Sequence, residues 1–378
     1  MREVVVVGAG LHRYGVFPEK SIIELGTEAI NNALKDAHLE WEDIEAAYCG
    51  TSQPFLSTGH QVCNKMGLTG LGITNVENAS ASGSSAFREA FLSVASGAQD
   101  IVLAFGVDKL NPPPRAASKI GSGPSAKKER EGSESLRSLP ALAFAALAQH
   151  YMKEYGVTRE QLGLVSVKSH YNASLNPYAH FQKTFTLEEV NKARLVADPL
   201  TVLHCCPWDE GAAAVIVCAK ERAPKYTDKL CPSVIASVLQ STPPDGDALI
   251  TLTEITALEA YGRAGIGPEE LDLIELHDAF TIEEIIYSEA LGLCPEGQGG
   301  RLIEDGTTSL AGKHPINSSG GLISMGHPIG PTGVGQIAEI LWQMRGECGQ
   351  RQIPKPVHWA MAHMVGAGGV CVIHLFKR

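Results

Sequence analysis

The stretch GGVCVIHLF at 368–376 repeats the pattern of GAAAVIVCAK at 211–220, each a run of small and β-branched apolar residues entered through glycine. Short apolar runs of this kind read as strands buried on both faces. Their echo is the first sign that the chain is built twice. Working outward from the earlier copy, VVVVGAG (4–10) reads as a buried strand followed by a turn, IEAAYCGTS (44–52) as a second strand and DIVLAFGVDK (100–109) as a third. Helical spacing appears between them at Ile22, Ile23, Ala29, Ile30 and Leu34, and again at Ala86, Phe87, Ala90, Phe91, Val94 and Ala95. Around the later copy, SVIASVLQS (233–241), LDLIELHDAF (271–280) and VHWAMAHMVG (357–366) read as strands, and Val334, Ile337, Ile340, Leu341 and Met344 mark a helix over 331–344. The expectation is an α/β protein of two similar halves, 1–225 and 226–378, related by a pseudo-twofold duplication, with a site where polar strand ends face the join. Residues 110–205 do not fit the repeat and read as an inserted loop domain, opening on NPPPR and carrying a helix in LPALAFAALAQHYMKEYG (139–156).

Composition narrows the function. At 378 residues the chain exceeds the usual single domain, and 44% hydrophobic with 19% charged residues is a globular balance. No apolar run reaches the roughly 20 residues of a membrane span, and the apolar N-terminal stretch is too short for a signal peptide, so a cytoplasmic protein is expected. Cys49, Cys218 and Cys371 sit inside apolar runs, which fits buried free thiols, and the adjacent Cys205 and Cys206 match no metal motif. No metal is expected. A net charge of −11 argues against nucleic acid and anionic membrane as partners. One basic stretch, 115–137, contains Lys119, Lys127, Lys128 and Arg130 among glycines and serines. It reads either as a solvated loop or as an anion-binding flap.

GAGLHR after the first strand lacks the third glycine of a dinucleotide fingerprint, Arg13 standing in its place, and no Walker loop, zinc spacing or Gly-x-Ser-x-Gly elbow occurs. Three histidines carry more. His277 follows a buried strand in LHDAF, His327 lies among glycines and serines in SSGGLISMGHPIGPTG, and His363 precedes a glycine turn in AMAHMVGAGG. Each alone reads as structural; three at element ends in one half point to a shared site.

VENASASGSSA (76–86), HDAF (277–280), GHPIGPTG (326–333) and HMVGAGG (363–369), in this order, resemble the thiolase superfamily, most closely its sterol-carrier-protein-type and archaeal-like, acetyl-CoA acetyltransferase-like branch. NPYAHFQKTFTLEEV (176–190) and PWDEGAAAVIV (207–217) extend the resemblance over nearly the whole chain. It implies duplicated βαβαβαββ halves in five αβαβα layers with a loop domain between, a homodimer, and an acyl-CoA substrate exchanged with coenzyme A. It also implies the site. Ser80 stands where the family carries its nucleophilic cysteine, His327 is the base, His277 stands where Asn or His holds an oxyanion through water, and the backbone N–H groups of Ser80 and Val365, beside Gly366, form the second oxyanion site. His363 takes the place of a second cysteine that moves the α-carbon proton. Lys119, Lys127, Lys128, Arg130 and Gly326 are the expected contacts of coenzyme A.

This chain departs from the family pattern at the nucleophile. A helix N-terminus favours an anionic sulfur, and a hydroxyl gains much less there. Ala279 also occupies the position after His277-Asp278 where sterol-carrier-type members can place a cysteine. Four readings therefore stand: a thiolase using Ser80, natural or exchanged for a cysteine; an aldolase-like enzyme that cleaves β-hydroxyacyl thioesters without a covalent intermediate; a non-catalytic subunit; or an unrelated α/β binding protein. Branch members often pair with a small zinc-ribbon/OB-fold protein of the DUF35 type, which makes such a protein an expected partner.

Overall fold

The computed structural model describes residues 2–52, 56–110 and 124–378, with side chains of the last stretch described from residue 139. Among the described residues eleven strands form: β1 Val4–Gly15, β2 Ala46–Gly50, β3 Gly72–Val76, β4 Ile101–Asp108, β5 Leu195–Ala197, β6 Leu200–Thr201, β7 Glu210–Ala219, β8 Ser233–Ser241, β9 Leu273–Glu275, β10 Trp359–Gly366 and β11 Val370–Lys377. Nine of them make one sheet in the order β3-β2-β4-β7-β1-β8-β11-β10-β9. Read toward the centre from β2 on one side and β9 on the other, the order is the same in both halves: second strand, fourth, fifth, first. The third strand of the later half is reduced to one parallel bridge, Ile274 to Ile316. At the central seam β1 and β8 share a single pair, Val5 with Ser233.

Helices α1 Ile22–Ala37 and α2 Thr58–Met66 cover one outer face, α7 Ile250–Ala264 and α8 Thr281–Ala290 the other, while α3 Ser82–Ser96 and α11 Thr332–Arg345 lie between the sheet halves. Alternation along the strands decides which layer each side chain joins. Val5 and Val7 pack with Ile30 on the α1 side, and Val4 and Val6 pack with Phe87 and Val334 in the middle layer. On β10, Ala360 and Ala362 face the middle layer, whereas Met361 and Val365 face α7 and α8. The five expected layers are present. The segment between the halves contributes α4 Pro124–Glu154, α5 Arg159–Ser174, α6 Leu187–Lys192 and the β5/β6 ribbon; α9 Gly299–Glu304 and α10 Gly321–Ser324 follow α8. Among the described residues no helix is long and apolar enough to cross a membrane.

The middle helices explain the run of small residues after Ser80. A helix buried on every side has to carry apolar or small residues, or polar ones with buried partners: every residue of α11 except Trp342 and Arg345 is buried, and its Gln336, Glu339 and Gln343 are hydrogen-bonded. The N-termini of α3 and α11 meet so closely that a Cβ on Gly83 would strike the carbonyl oxygen of Gly330, and one on Gly333 would strike the Ser84 hydroxyl. Two sequence expectations need correction. GAGLHR is no turn: β1 runs straight through it to Gly15, and its glycines let α1 sit directly on the strand, where a Cβ at Gly10 would collide with the backbone at Ala29 and Ala33. The 271–280 strand is only Leu273–Glu275, because the chain leaves the sheet there to deliver His277.

Candidate active site

Between β3 and α3 the chain makes a tight elbow with Ser80 near its apex. Ala79 adopts a left-handed φ of +49°. A non-glycine residue held there costs on the order of 1–3 kcal/mol, so the surroundings must enforce it. They do so through the neighbouring hydroxyls. Ser82 Oγ donates to the Ala79 carbonyl at 2.6 Å and accepts the Asn78 N–H at 2.9 Å, and Asn78 Nδ2 donates to Ser85 Oγ at 2.8 Å. Ser82 and Ser85 thus build the elbow, and Ser80, half-buried, is left to face the other half of the chain. Its Oγ lies 3.0 Å from His327 Nε2.

His327 belongs to the loop before α11, the element that corresponds to α3 in the duplicated plan. The loop is pinned by two carboxylates from the earlier half. Asp209, just before β7, accepts the His327 N–H at 3.1 Å, and Asp108, the last residue of β4, accepts the Gly330 N–H at 2.7 Å. Burial pushes Asp209 up to about 7 and Asp108 up to about 6, partly countered by those same hydrogen bonds. His180 Nδ1 approaches Asp209 Oδ2 at 3.5 Å, a separation suited to charge pairing and beyond a good hydrogen bond. Gly326, with φ +124°, lies against Asp209 and Tyr14; a Cβ there would overlap the Asp209 carboxylate, so packing accounts for this glycine. The His327 ring stands with Nδ1 2.8 Å from Thr332 Oγ1. With Nδ1–H donating to that hydroxyl, Nε2 is left as an acceptor for the Ser80 O–H. Burial, and then the field of His277, hold His327 well below the usual histidine range. A neutral base aimed at a hydroxyl is the arrangement a nucleophile requires.

His277, two residues beyond β9, packs edge-on against His327 with ring centroids 5.7 Å apart. Its Nδ1 lies 3.2 Å from Glu283 Oε1 on α8, with the ring tilted off the hydrogen-bond line, so neither ring nitrogen has a hydrogen-bond partner among the described residues. His363 sits within β10 rather than at its end, opposite Ile373 of β11, and is fully buried. Its Nε2 is 3.2 Å from Thr253 Oγ1 on α7 and its ring meets Tyr287 at 4.8 Å, edge to face. Burial first, then His277, push it down to about 3. Ser80, His327 and His277 therefore share one cluster, and His363 joins it from behind through Tyr287. The end of β10 closes the corner: a Cβ on Gly366 would strike the Asn78 carbonyl, and Met364 packs on Ala81. The β9 ladder stops at Ala362, so the edge of β10 that carries Val365 is unladdered beyond it among the described residues.

Lys119 lies outside the described residues, and of Lys127, Lys128 and Arg130 only the helical backbone in α4 is described. Two surface cavities, of about 350 Å³ beside Lys168 and Phe185 and about 570 Å³ beside Asp36 and Trp342, share no residue with the cluster. The sequence reading missed Asp108, Asp209, Thr332, Glu283 and Tyr287. One usable signal existed: acidic residues inside otherwise apolar stretches, as in HDAFTIEEIIYSEA (277–290), are costly to bury and so mark built sites.

Residues 4–221 match the family model described as the thiolase N-terminal domain, and residues 240–375 the model described as thiolase C-terminal domain-like. An acetyl-CoA acetyltransferase of Methanothermobacter thermautotrophicus is 39% identical over 396 aligned residues, covering 100% of each chain. The benzoylsuccinyl-CoA thiolase subunit BbsB of Thauera aromatica is 36% identical over 373 aligned residues, covering 97% of this chain and 95% of that one. Among solved structures, an Ltp2–ChsH2(DUF35) aldolase superposes with a TM-score of 0.83 over 98% of this chain and 97% of its own, at 24% identity, which speaks for the fold alone.

Proposed function

The chain belongs to the thiolase family, and from that premise we propose that it is an acyltransferase that cleaves or forms a β-oxoacyl-CoA by retro-Claisen or Claisen chemistry at Ser80. The contact of 3.0 Å between Ser80 Oγ and His327 Nε2 carries this reading. In the cleavage direction His327 takes the Ser80 proton as the oxygen attacks the β-carbonyl. The carbon–carbon bond breaks, the electron pair stays on the α-carbon of the departing acyl-CoA, and a proton delivered there completes it. The proton is the one His327 took from Ser80, and His363 is assigned its delivery to the α-carbon. The thiol of coenzyme A then attacks the Ser80 ester, and His327, neutral again, passes the thiol proton to the departing Ser80 oxygen. His277 and the N–H groups of Ser80 and Val365 stabilise the oxyanions, worth roughly 2.7–4 kcal/mol for a well-placed donor. Incubation with acyl-CoA followed by intact-mass analysis tests it: an acyl adduct mapped to Ser80 supports the scheme, and its absence with coenzyme A-dependent cleavage intact removes Ser80 as nucleophile.

A second reading rests on the hydroxyl itself. With Ser80 in place of a cysteine and Ala279 in place of another, the histidines suit deprotonation of a β-hydroxyacyl-CoA and retro-aldol cleavage with no covalent intermediate. Cleavage of such a thioester without an adduct separates the two. If both wild type and Ser80→Cys stay silent, with and without a DUF35-type protein, the chain is a non-catalytic subunit. A homodimer is supported by β3, which pairs with β2 on one side and leaves its other edge open among the described residues, beside the exposed Leu68. Sedimentation of wild type against Ile73→Pro, which removes an N–H on the open edge, tests this pairing.

A further inference from the structure

Of the three histidines in the cluster, only His277 faces a carboxylate that no cation already claims. Glu283 is fully buried on α8, with Oε2 accepting the Phe280 N–H at 2.9 Å and Oε1 accepting the Tyr287 hydroxyl at 3.3 Å, 3.2 Å from His277 Nδ1. The other buried carboxylates nearby are each held by a different partner through one oxygen, the second oxygen of each having no hydrogen bond among the described residues. Asp278 accepts the Leu322 N–H at 2.6 Å, Glu284 forms an ion pair with Lys168, and Asp209 holds the His327 loop opposite His180. His327 and His363 face hydroxyls, of Thr332 and Thr253, and Cys206 adds a thiol that burial holds protonated. An isolated buried carboxylate is costly, and so is an isolated imidazolium; together they offset each other.

We propose that Glu283 is a positioning residue that keeps His277 doubly protonated through the 3.2 Å charge contact at Nδ1, leaving Nε2–H for the substrate oxygen or its bridging water. A neutral imidazole that donates through Nδ1 has only a lone pair at Nε2 and repels an oxyanion, whereas a ring carrying both protons attracts it directly or through a water and also neutralises the buried carboxylate beside it. The positive charge then lies beside His327, and its field adds to burial, the larger cause, in keeping His327 and His363 neutral. One histidine carries the charge and the other two move protons. The catalytic half of this inference rests on the reading of the site given under Proposed function; the protonation of His277 does not.

The test has two readouts. In protein labelled with ¹⁵N-histidine and free of substrate, the His277 ring, identified by its loss in His277→Asn, is expected to show two protonated nitrogens at neutral pH and one in Glu283→Gln. A neutral tautomer in the wild type overturns the proposal, whatever the enzyme's activity and whether or not the variant folds. Glu283→Gln retains an acceptor for the Phe280 N–H. In turnover it is expected to lower kcat by about 10²–10³ with KM little changed, as for loss of one oxyanion donor. In the His277→Asn background the same change is expected to cost little further. An equal cost in both backgrounds means Glu283 does not act through His277. Absence of turnover in every form, wild type included, refutes the proposed function and leaves the nitrogen spectrum to decide this one.

Discussion

Replacing Ser80 by cysteine tests the nucleophile assignment most sharply, because the elbow fixes the attack geometry and leaves only the reacting atom to change. The hydroxyl already sits 3.0 Å from His327 Nε2, and its half-buried setting leaves room for sulfur. A thiol with a pKa of about 8.5 is roughly 3% thiolate at neutral pH. A hydroxyl with a pKa like that of water, about 15.7, is ionised about seven decades less. The more basic oxygen recovers about three of those decades, since nucleophilicity rises with basicity with a slope of about 0.4–0.5. The net expectation is adduct formation about 10⁴-fold faster in Ser80→Cys, before any gain from the α3 N-terminus, which favours the anion further. Intact-mass time courses with an acyl-CoA read this directly. An adduct that forms no faster than in wild type, or that maps to another residue such as Cys206, refutes the reasoning that residue 80 is the attacking atom.

His327→Gln is expected to lower kcat by about 10²–10⁴ while the circular-dichroism spectrum and melting curve stay near wild type, because its ring meets the Ser80 and Thr332 hydroxyls and the His277 ring rather than the apolar core; full turnover removes it from the mechanism. Gly333→Ala puts a methyl against Ser84 where α3 and α11 meet, and should lower the unfolding free energy by about 1–3 kcal/mol in urea titrations. An unchanged midpoint means the two helices have slack. His374 is held neutral between Ser237 Oγ at 3.0 Å and the Ser84 carbonyl at 3.2 Å, and burial pushes it down to about 3. Below about pH 6.5 the unfolded chain takes up a proton that the folded ring refuses. Its contribution is therefore complete above that pH and drains away as the pH falls toward 3, by about 2 kcal/mol at pH 5. Asp209 and Glu275, both raised to about 7, act in the opposite direction over the same range, so the test is a difference: His374→Gln should lose about 2 kcal/mol less than wild type between pH 7 and pH 5. Equal losses would show that the ring is not held neutral.

The duplicated plan could be read from the sequence because strands covered on both faces are apolar throughout, so β7 and β11 announce themselves and each other. The motifs around Ser80, His277, His327 and His363 were legible for a similar reason: close backbone approach demands glycine and serine in runs that no surface loop needs. β3 escaped notice, since an edge strand such as GITNV keeps little of the apolar pattern that marks a buried one. GAG in β1 was misread as a turn because its glycines answer to α1, an element that lies on the strand only after folding. For the carboxylates an acid in an apolar stretch was the one signal, and their partners were beyond reach. Whether Glu283 is a solvated charge or the partner of His277 depends on α8 folding back over the end of β9, and whether Asp209 is a surface acid or the clamp on His327 depends on residues 118 apart in the chain being brought together. Local pattern determines which elements form, because it acts through neighbouring residues. Electrostatic partnership acts through space, and only the tertiary fold decides it.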